Sequence, residues 1–247
     1  MKENKYDDPV FFNKYSNMDR SKYGLQAAGE WHELRKMMPD FTNKRVLDLG
    51  CGFGWHCRYA IEKGAESVIG IDISQKMLDE AKSKTGSEKI QYICLPMEDI
   101  EFEPDSFEVV ISSLAFHYIQ SFENIADKIN KFLTLGGDFV FSVEHPVFTA
   151  NGSQDWYYDN QGNRLHWPVD RYFEEGDRKA VFLGEEVIKY HKTLSSYLNT
   201  LIKAGFEIIG IVEPKPEEKL LNTSAEMMDE LRRPMMLLIS AKKKQVI

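Results

Sequence analysis

A short apolar run, Arg45-Val46-Leu47-Asp48-Leu49, breaks directly into Gly50-Cys51-Gly52-Phe53-Gly54 and then into a helical pattern that puts Cys57, Ala60 and Ile61 on one face. Glycines at alternate positions let the backbone turn sharply and bring its N–H groups close to a ligand, and the helix that follows presents its positive end to the same place. Strand, glycine loop and helix in this order form the first unit of a parallel α/β sheet. Ligands of such sheets sit beyond the carboxyl ends of the strands.

The alternation continues along the chain. Ser67 to Ile73 reads as a strand, and Ser74 then caps a helix carrying Met77, Leu78 and Ala81. Ile90 to Cys94 and Phe107 to Ser113 are further strands, the second an almost continuous apolar run suited to a central strand buried on both faces. Ser121 opens a helix with Phe122, Ile125, Ala126, Ile129 and Leu133 on one side, and Gly136-Gly137 turns the chain into Asp138 to Glu144. Leu194 to Ala204 is a helix closed by Gly205, followed by strands from Phe206 to Glu213 and from Met235 to Ala241. Phe11 to Met18 and Gly24 to Met38 precede the first strand as helices. From Pro146 to about Tyr190 the alternation stops for longer than a passive loop allows. The expectation is one domain, 1–247, with an N-terminal helical lid over 1–43 and an inserted aromatic-rich cap over 146–190.

Charge narrows the partners. With 31 Lys and Arg against 39 Asp and Glu, the net charge is −8, which lacks the basic footprint of a general nucleic-acid binder. Lys242-Lys243-Lys244 reads as a solvated strand end. Cys51, Cys57 and Cys94 are too few for a disulfide framework and read as reduced thiols. Cys51 and Cys57 flank His56 without the paired spacing of a metal site, so no metal is expected. Mean hydropathy is −0.42, no apolar run is long enough to span a membrane, and the first residues, MKENKYDDPVFFNKY, lack the pattern of a secretory signal. The expected compartment is the cytoplasm.

The glycine loop is selective in what it admits. A dinucleotide fingerprint needs a small residue where this chain has Trp55. Asp48, just before the loop, is a poor neighbour for pyrophosphate and a good one for an ammonium group. Asp72, at the carboxyl end of the second strand, can accept both hydroxyls of a ribose, or serve with Ser74 in capping the next helix. A ribose joined to an amino acid without pyrophosphate describes S-adenosylmethionine.

At this point the sequence resembles a known family. VLDLGCGFG, GIDIS, PMEDIEFEPDSFEVVISSLAFHYI and LGGDFVFSVEHP are similar to the successive motifs of class I S-adenosylmethionine-dependent methyltransferases. The likeness is nearest to the small-molecule, type 11-like branch that includes quinone-biosynthesis enzymes, and it is strong over residues 44–145. It implies a Rossmann-like seven-stranded α/β sheet of order 3-2-1-4-5-7-6, the last strand antiparallel, with helices on both faces. It further implies that Asp48, Gly50 and Gly52 border the methionyl part of the cofactor, Asp72 the ribose, and Ile73 and Met77 the adenine face. Met97 and Glu98 match the acidic motif after the third strand, Ser113 ends the fourth strand on the cofactor side, and Tyr15 closes over the cofactor from the N-terminal segment. Pro96 stands where many members have Asp, and Leu135 replaces a common Pro.

Methyl transfer is an in-line displacement that alignment and desolvation suffice to promote. Where the acceptor must lose a proton, candidates beyond the strand ends are His117 and Tyr118 after the fourth strand, and Glu144 and His145 after the fifth. His145, held extended by Pro146, is placed ahead of His117, which also reads as a packed helix residue; a base of this kind titrates near pH 6–7. The aromatic segment with Phe148, Trp156, Tyr157, Tyr158, Trp167, Tyr172 and Phe173 is expected as a lid over the pocket, or else as a small β-meander or a homodimer contact. The expected acceptor is a small molecule. Alternatives are a tRNA or protein methyltransferase, and a nicotinamide oxidoreductase, which Trp55 and Asp48 oppose.

Overall fold

The computed structural model describes residues 4–221 and 225–244. Seven strands form the central sheet: β1 Arg45–Leu49, β2 Ser67–Asp72, β3 Ile90–Cys94, β4 Phe107–Ser113, β5 Leu133–Glu144, β6 Phe206–Val212 and β7 Met236–Lys243. Their spatial order is 3-2-1-4-5-7-6, with β7 antiparallel to both β5 and β6 and the remaining neighbours parallel. This is the expected Rossmann-like sheet. Parallel neighbours require crossovers, and helices on the two faces supply them.

Three helices begin where a hydroxyl satisfies a free amide. Ser74 caps α5 (Gln75–Ser83) through the Met77 amide, Ser121 caps α6 (Phe122–Phe132) through the Asn124 amide, and Thr193 caps α8 (Leu194–Lys203) through the Ser196 amide. On one face of the sheet Phe116, Phe122, Ile129, Phe139, Phe141, Tyr197 and Phe206 form the larger core. On the other, Val46, Val68, Val109 and Ile111 pack against Cys57 and Ala60 of α4 (Trp55–Glu62) and Leu78 of α5.

Three details differ from the sequence expectation. The helix expected over Gly24 to Met38 is a 3-10 turn, Gly24–Ala27, and a separate α-helix, Trp31–Met37. Strand β5 begins at Leu133, five residues ahead of Asp138, because Gly136-Gly137 forms an irregularity inside the strand and not a turn before it. The pairing passes from Phe107↔Leu133 to Val109↔Asp138. Gly136 has φ +75°, and a Cβ on Gly137 would stand 2.9 Å from the Thr134 carbonyl oxygen. The terminal lysines also continue β7. Lys242 pairs with Asp138 at 2.6 Å and Lys243 with Asp105 at 3.1 Å, so only Lys244 fits the reading of a solvated strand end.

Ahead of the sheet lie α1 (Pro9–Ser16), capped by the Asp8 carboxylate, then α2 (Asp19–Tyr23) and α3 (Trp31–Met37). Between β5 and α8 come α7 (Pro146–Thr149), a hairpin of Tyr157–Tyr158 with Arg164–His166, and a longer hairpin of Gly176–Phe182 with Glu185–His191. The fully buried Phe11 of α1 packs on Ala180 and Val187 of the longer hairpin, forming a second, small core. No helix among the described residues is long and apolar enough to cross a membrane.

Candidate active site

The glycine loop crosses from β1 to the neighbouring strand. The Gly50 and Cys51 amides both donate to the Ile71 carbonyl, at 2.8 and 2.9 Å. Gly50 has φ +72°, and a Cβ there would overlap Ala115 and lie 3.3 Å from Met97 Cε. Only glycine therefore fits, and Met97 and Ala115 wall the loop.

Asp72 ends β2 facing this loop. Its Oδ2 accepts from the Gly52 amide at 2.8 Å and its Oδ1 from the Ser74 amide at 2.9 Å. The carboxylate thus fixes the loop and the start of α5 at once, so the capping reading and the loop-facing position hold together. Burial raises its pKa to about 6 against the lowering effect of those amides. Asp48 is more isolated. Its Oδ2 accepts from Cys57 Sγ at 3.1 Å, its Oδ1 is buried without a partner, and burial raises its pKa to about 7.

The remaining cofactor candidates lie just past β2, in the turn after β3, at the end of β4, in α5 and in α1. Ile73 offers its carbonyl to Asn4 Nδ2 at 3.2 Å, and Met77 is buried in α5 with its Cε 3.4 Å from where a Gly52 Cβ would be. Glu98 sits in the 3-10 turn Met97–Asp99, whose backbone is tied to α6 by Lys128 Nζ donating to the Glu98 carbonyl. Ser113 Oγ, at the end of β4, donates to Glu30 Oε1 at 3.3 Å. Tyr15 stands edge-on to Phe53 of the loop and to Tyr6, at 5.9 and 5.2 Å between ring centres.

A second group of polar side chains gathers beyond β4 and β5. His117 is buried beside Glu144, its Nδ1 accepting from the Glu144 amide at 3.4 Å and its Nε2 standing 4.0 Å from Glu144 Oε1. Burial, reinforced by Lys189 and Lys192 and opposed by Glu144, lowers its pKa to about 4. Lys189, from the longer hairpin, donates to Glu144 Oε1 at 2.6 Å and to Gln154 Oε1 at 2.8 Å. Burial pushes the Glu144 carboxyl up, yet His117, Lys189 and Gln154 together hold it below its ordinary value. Tyr118 joins the two groups, since its hydroxyl lies 3.2 Å from that of Tyr6.

His145 belongs to neither group. Its Nδ1 accepts from the Val147 amide at 3.0 Å, its Nε2 lies 2.8 Å from Glu213 Oε1 just past β6, and its own amide donates to the Met235 carbonyl. The ring caps α7 and reaches Glu213, on the β6–β7 side of β5. The sequence puts His145 ahead of His117 as a base; in the structure Pro146 fixes the backbone of His145 and Glu213 holds its ring. The cap aromatics are also drawn to that side. Phe148 and Trp167 stack at 4.9 Å, Trp156 meets Trp167 edge-on, and Arg233 lies 4.3 Å from the Trp167 ring centre. The rings that meet Phe53 of the glycine loop are Phe12 and Tyr15, from the N-terminal segment.

Sequence reasoning did not single out Tyr6, Arg20, Glu30 or Lys189. Their roles depend on contacts between distant segments, although an acidic, aromatic stretch that opens with an Asp-Pro helix start, as 6–15 does, is a signal of packed structure. Among the described residues no cluster of three or more His, Cys, Asp or Glu side chains is arranged to hold a metal ion.

The residues present suit an adenosyl amino acid: an unpartnered buried carboxyl oxygen on Asp48, a carboxylate of raised pKa on Asp72, and a loop whose Gly50 admits no side chain. Comparison with known proteins gives the same reading. Residues 47–141 match the methyltransferase domain family. An uncharacterised protein of Haemophilus influenzae is 33% identical over 245 residues, 96% of each chain. A tRNA U34 carboxymethyltransferase of Hahella chejuensis is 27% identical over 82% of this chain, which spans only 56% of that protein. Among solved structures, a Listeria monocytogenes protein assigned to the S-adenosylmethionine-dependent methyltransferases is 60% identical, with TM-score 0.86 over 90% of this chain and 100% of that one. An S-adenosylmethionine-dependent methyltransferase from Mesorhizobium loti is 41% identical, with TM-score 0.82 over 89% and 100%. With its sheet order, its glycine loop and these likenesses in agreement, the chain belongs to the class I S-adenosylmethionine-dependent methyltransferases.

Proposed function

We propose that this enzyme methylates a small cytoplasmic molecule in a site enclosed by its N-terminal segment. The observation that carries the reading is the packing of that segment: Tyr15 meets Phe53 of the glycine loop and stands edge-on to Tyr6, whose hydroxyl meets that of Tyr118. An enclosed site admits a small acceptor more readily than a folded macromolecule, and the net charge of −8 disfavours tRNA.

In this reading Asp72 holds the ribose hydroxyls, and Asp48 and the Gly50–Gly52 backbone border the methionyl end. Ile73, Met77, Met97 and Glu98 surround the adenine, with Ser113 and Tyr15 completing the cleft. When bound, S-adenosylmethionine supplies a methyl carbon activated by its sulfonium. The chain aligns the acceptor and excludes water with Tyr6, Tyr15 and Phe53. An acceptor that must lose a proton gives it to His117, which is neutral at physiological pH, with Glu144 beside it to balance the charge.

A labelled-methyl transfer screen against small metabolites, total tRNA and protein tests this. Label recovered in a small molecule supports the reading, and label confined to tRNA or protein overturns it.

A further inference from the structure

Two lysines are buried near the end of the longer hairpin, and they are held in opposite ways. Lys189 is ion-paired with Glu144. Lys192, just past the second strand of the hairpin, is 7% exposed, yet it makes no ion pair among the described residues; its Nζ donates to the Ile119 carbonyl at 2.8 Å. A buried lysine without a carboxylate partner is rare, because its charge is costly to take out of water. The rings of Tyr190 and Tyr197, centred 5.7 and 6.0 Å from Nζ, offset part of that cost.

Lys192 also lines a cavity of about 280 Å³, together with Ser121, Glu123, Glu175, Asp177, Ser196 and Thr200. Glu123, Glu175 and Asp177 are exposed, so the cavity meets solvent at an acidic rim, which disfavours an anionic ligand. The serine and threonine hydroxyls suit a ligand that carries hydroxyls of its own. None of the residues lining the cavity belongs to the glycine loop or to β1, β2 or β3, so this space is separate from the residues read as holding the cofactor. Burial lowers the Lys192 amine to about 8, with Glu175 opposing. At pH 8 about half of it is neutral, against less than about 1% of an ordinary lysine. A neutral amine is a nucleophile toward carbonyl carbon.

We propose that Lys192 is a covalent binding site for a small, neutral hydroxy-aldehyde, held as an imine. The amine nitrogen bonds to the carbonyl carbon, its two protons pass through solvent to the carbonyl oxygen, and that oxygen leaves as water. The C=N bond forms without oxidant or reductant. The same nitrogen holds the Ile119 carbonyl, immediately after the turn that carries His117 and Tyr118, so the adduct forms on the tie between the hairpin and that turn. The inference is independent of the methyl acceptor's identity.

Brief treatment of the full-length wild-type protein at pH 8 with glyceraldehyde and cyanoborohydride, which reduces an imine to a stable amine, tests it by peptide mass mapping. Lys192 should be labelled at least about tenfold faster than the exposed Lys36 and Lys179, because more of its amine is neutral. Labelling no faster than at those two overturns the proposal. In protein unfolded in urea the advantage should vanish; an advantage that persists there belongs to the local sequence and overturns the site. Glyoxylate, an anionic aldehyde, should show the advantage reduced by about threefold or more, since the rim repels it. An undiminished advantage with glyoxylate overturns the assignment to a neutral ligand. Lys192→Arg should abolish the fast phase of labelling seen in the intact mass, and a fast phase that survives overturns the assignment to Lys192. The wild-type map needs no variant, so it decides the question even if Lys192→Arg does not fold.

Discussion

Cys57 Sγ lies 3.1 Å from one oxygen of the Asp48 carboxyl, and the other oxygen is buried facing no donor at all. A carboxyl with so little support is costly to keep ionised. Its folded pKa of about 7 lies above the unfolded value near 4, so between these limits the folded state binds the proton more tightly. The ionised group therefore destabilises the protein at pH 8, and the penalty is relieved as the pH falls through 7. Asp48→Asn should raise the Tm of the ligand-free protein at pH 8 by roughly 4–8 °C, corresponding to about 2 kcal/mol. The gain should shrink toward pH 5. The same variant should bind S-adenosylhomocysteine at least tenfold more weakly; a Tm unchanged at both pH values would contradict the burial argument.

For His117 the sign is opposite. Folding holds the ring neutral, with a pKa of about 4 against about 6.5 unfolded, so acidification from 6.5 toward 4 removes stability. At saturating cofactor, kcat should be level between pH 6 and 9 as far as this group is concerned and should fall only as pH 4 is approached. The sequence places a limb near pH 6–7 at His145; burial of His117 puts its own limb lower. If His117 takes the acceptor's proton, His117→Ala should lower kcat by about 10²–10⁴-fold with cofactor affinity intact. A near-normal kcat would leave alignment alone as the mechanism.

Lys189 and Glu144 form a buried pair, so breaking it is far worse than removing it. Lys189→Met should destabilise the protein by about 3–5 kcal/mol through the uncompensated Glu144 carboxylate. Adding Glu144→Gln should restore much of that loss. Denaturant unfolding of both single variants and the double variant measures the coupling, and additive losses would deny it.

Asp7 bonds the start of α5, its Oδ1 accepting from Ser74 Oγ at 2.6 Å and from the Lys76 amide at 3.1 Å, while Asn4 donates to its Oδ2. These bonds hold its pKa down despite some burial. If the segment closes over bound cofactor, Asp7→Ala should speed release of S-adenosylhomocysteine several-fold in stopped-flow fluorescence, with a smaller change in association. Release at the wild-type rate would mean that the segment is not what retains the ligand.

The sheet was legible because its determinants are local. β1, β4 and β6 are apolar runs flanked by Gly50, Ser106 and Gly205, and the spacing of Asp48, the glycines and Asp72 falls within one strand-helix-strand unit. The irregularity in β5 was harder to see, since Gly136-Gly137 suits a turn as well as a bulge, and only the pairing with β4 decides. The direction of the His145 ring depends on Glu213, from another strand. The aromatic segment 148–167 has the composition of a lid, but Arg232 and Arg233, far along the chain, draw Phe148, Trp156 and Trp167 into a cation–π cluster. Packing between distant segments, which no local pattern encodes, governs each of these.

The small core of Phe11, Ala180 and Val187 gives the N-terminal segment a second attachment, since Lys14 also donates to the Leu183 carbonyl of the hairpin turn at 3.0 Å. The N-terminal segment, whose Phe12 and Tyr15 meet Phe53 of the glycine loop, is thereby fastened to the hairpin that supplies Lys189. Residues from the first and last thirds of the chain thus pack as one unit, and separating them would expose the buried side chain of Phe11. Loosening Phe11 would then disturb the Lys189–Glu144 pair without touching either residue, so a substitution remote from any ligand could alter how both ligands are exchanged.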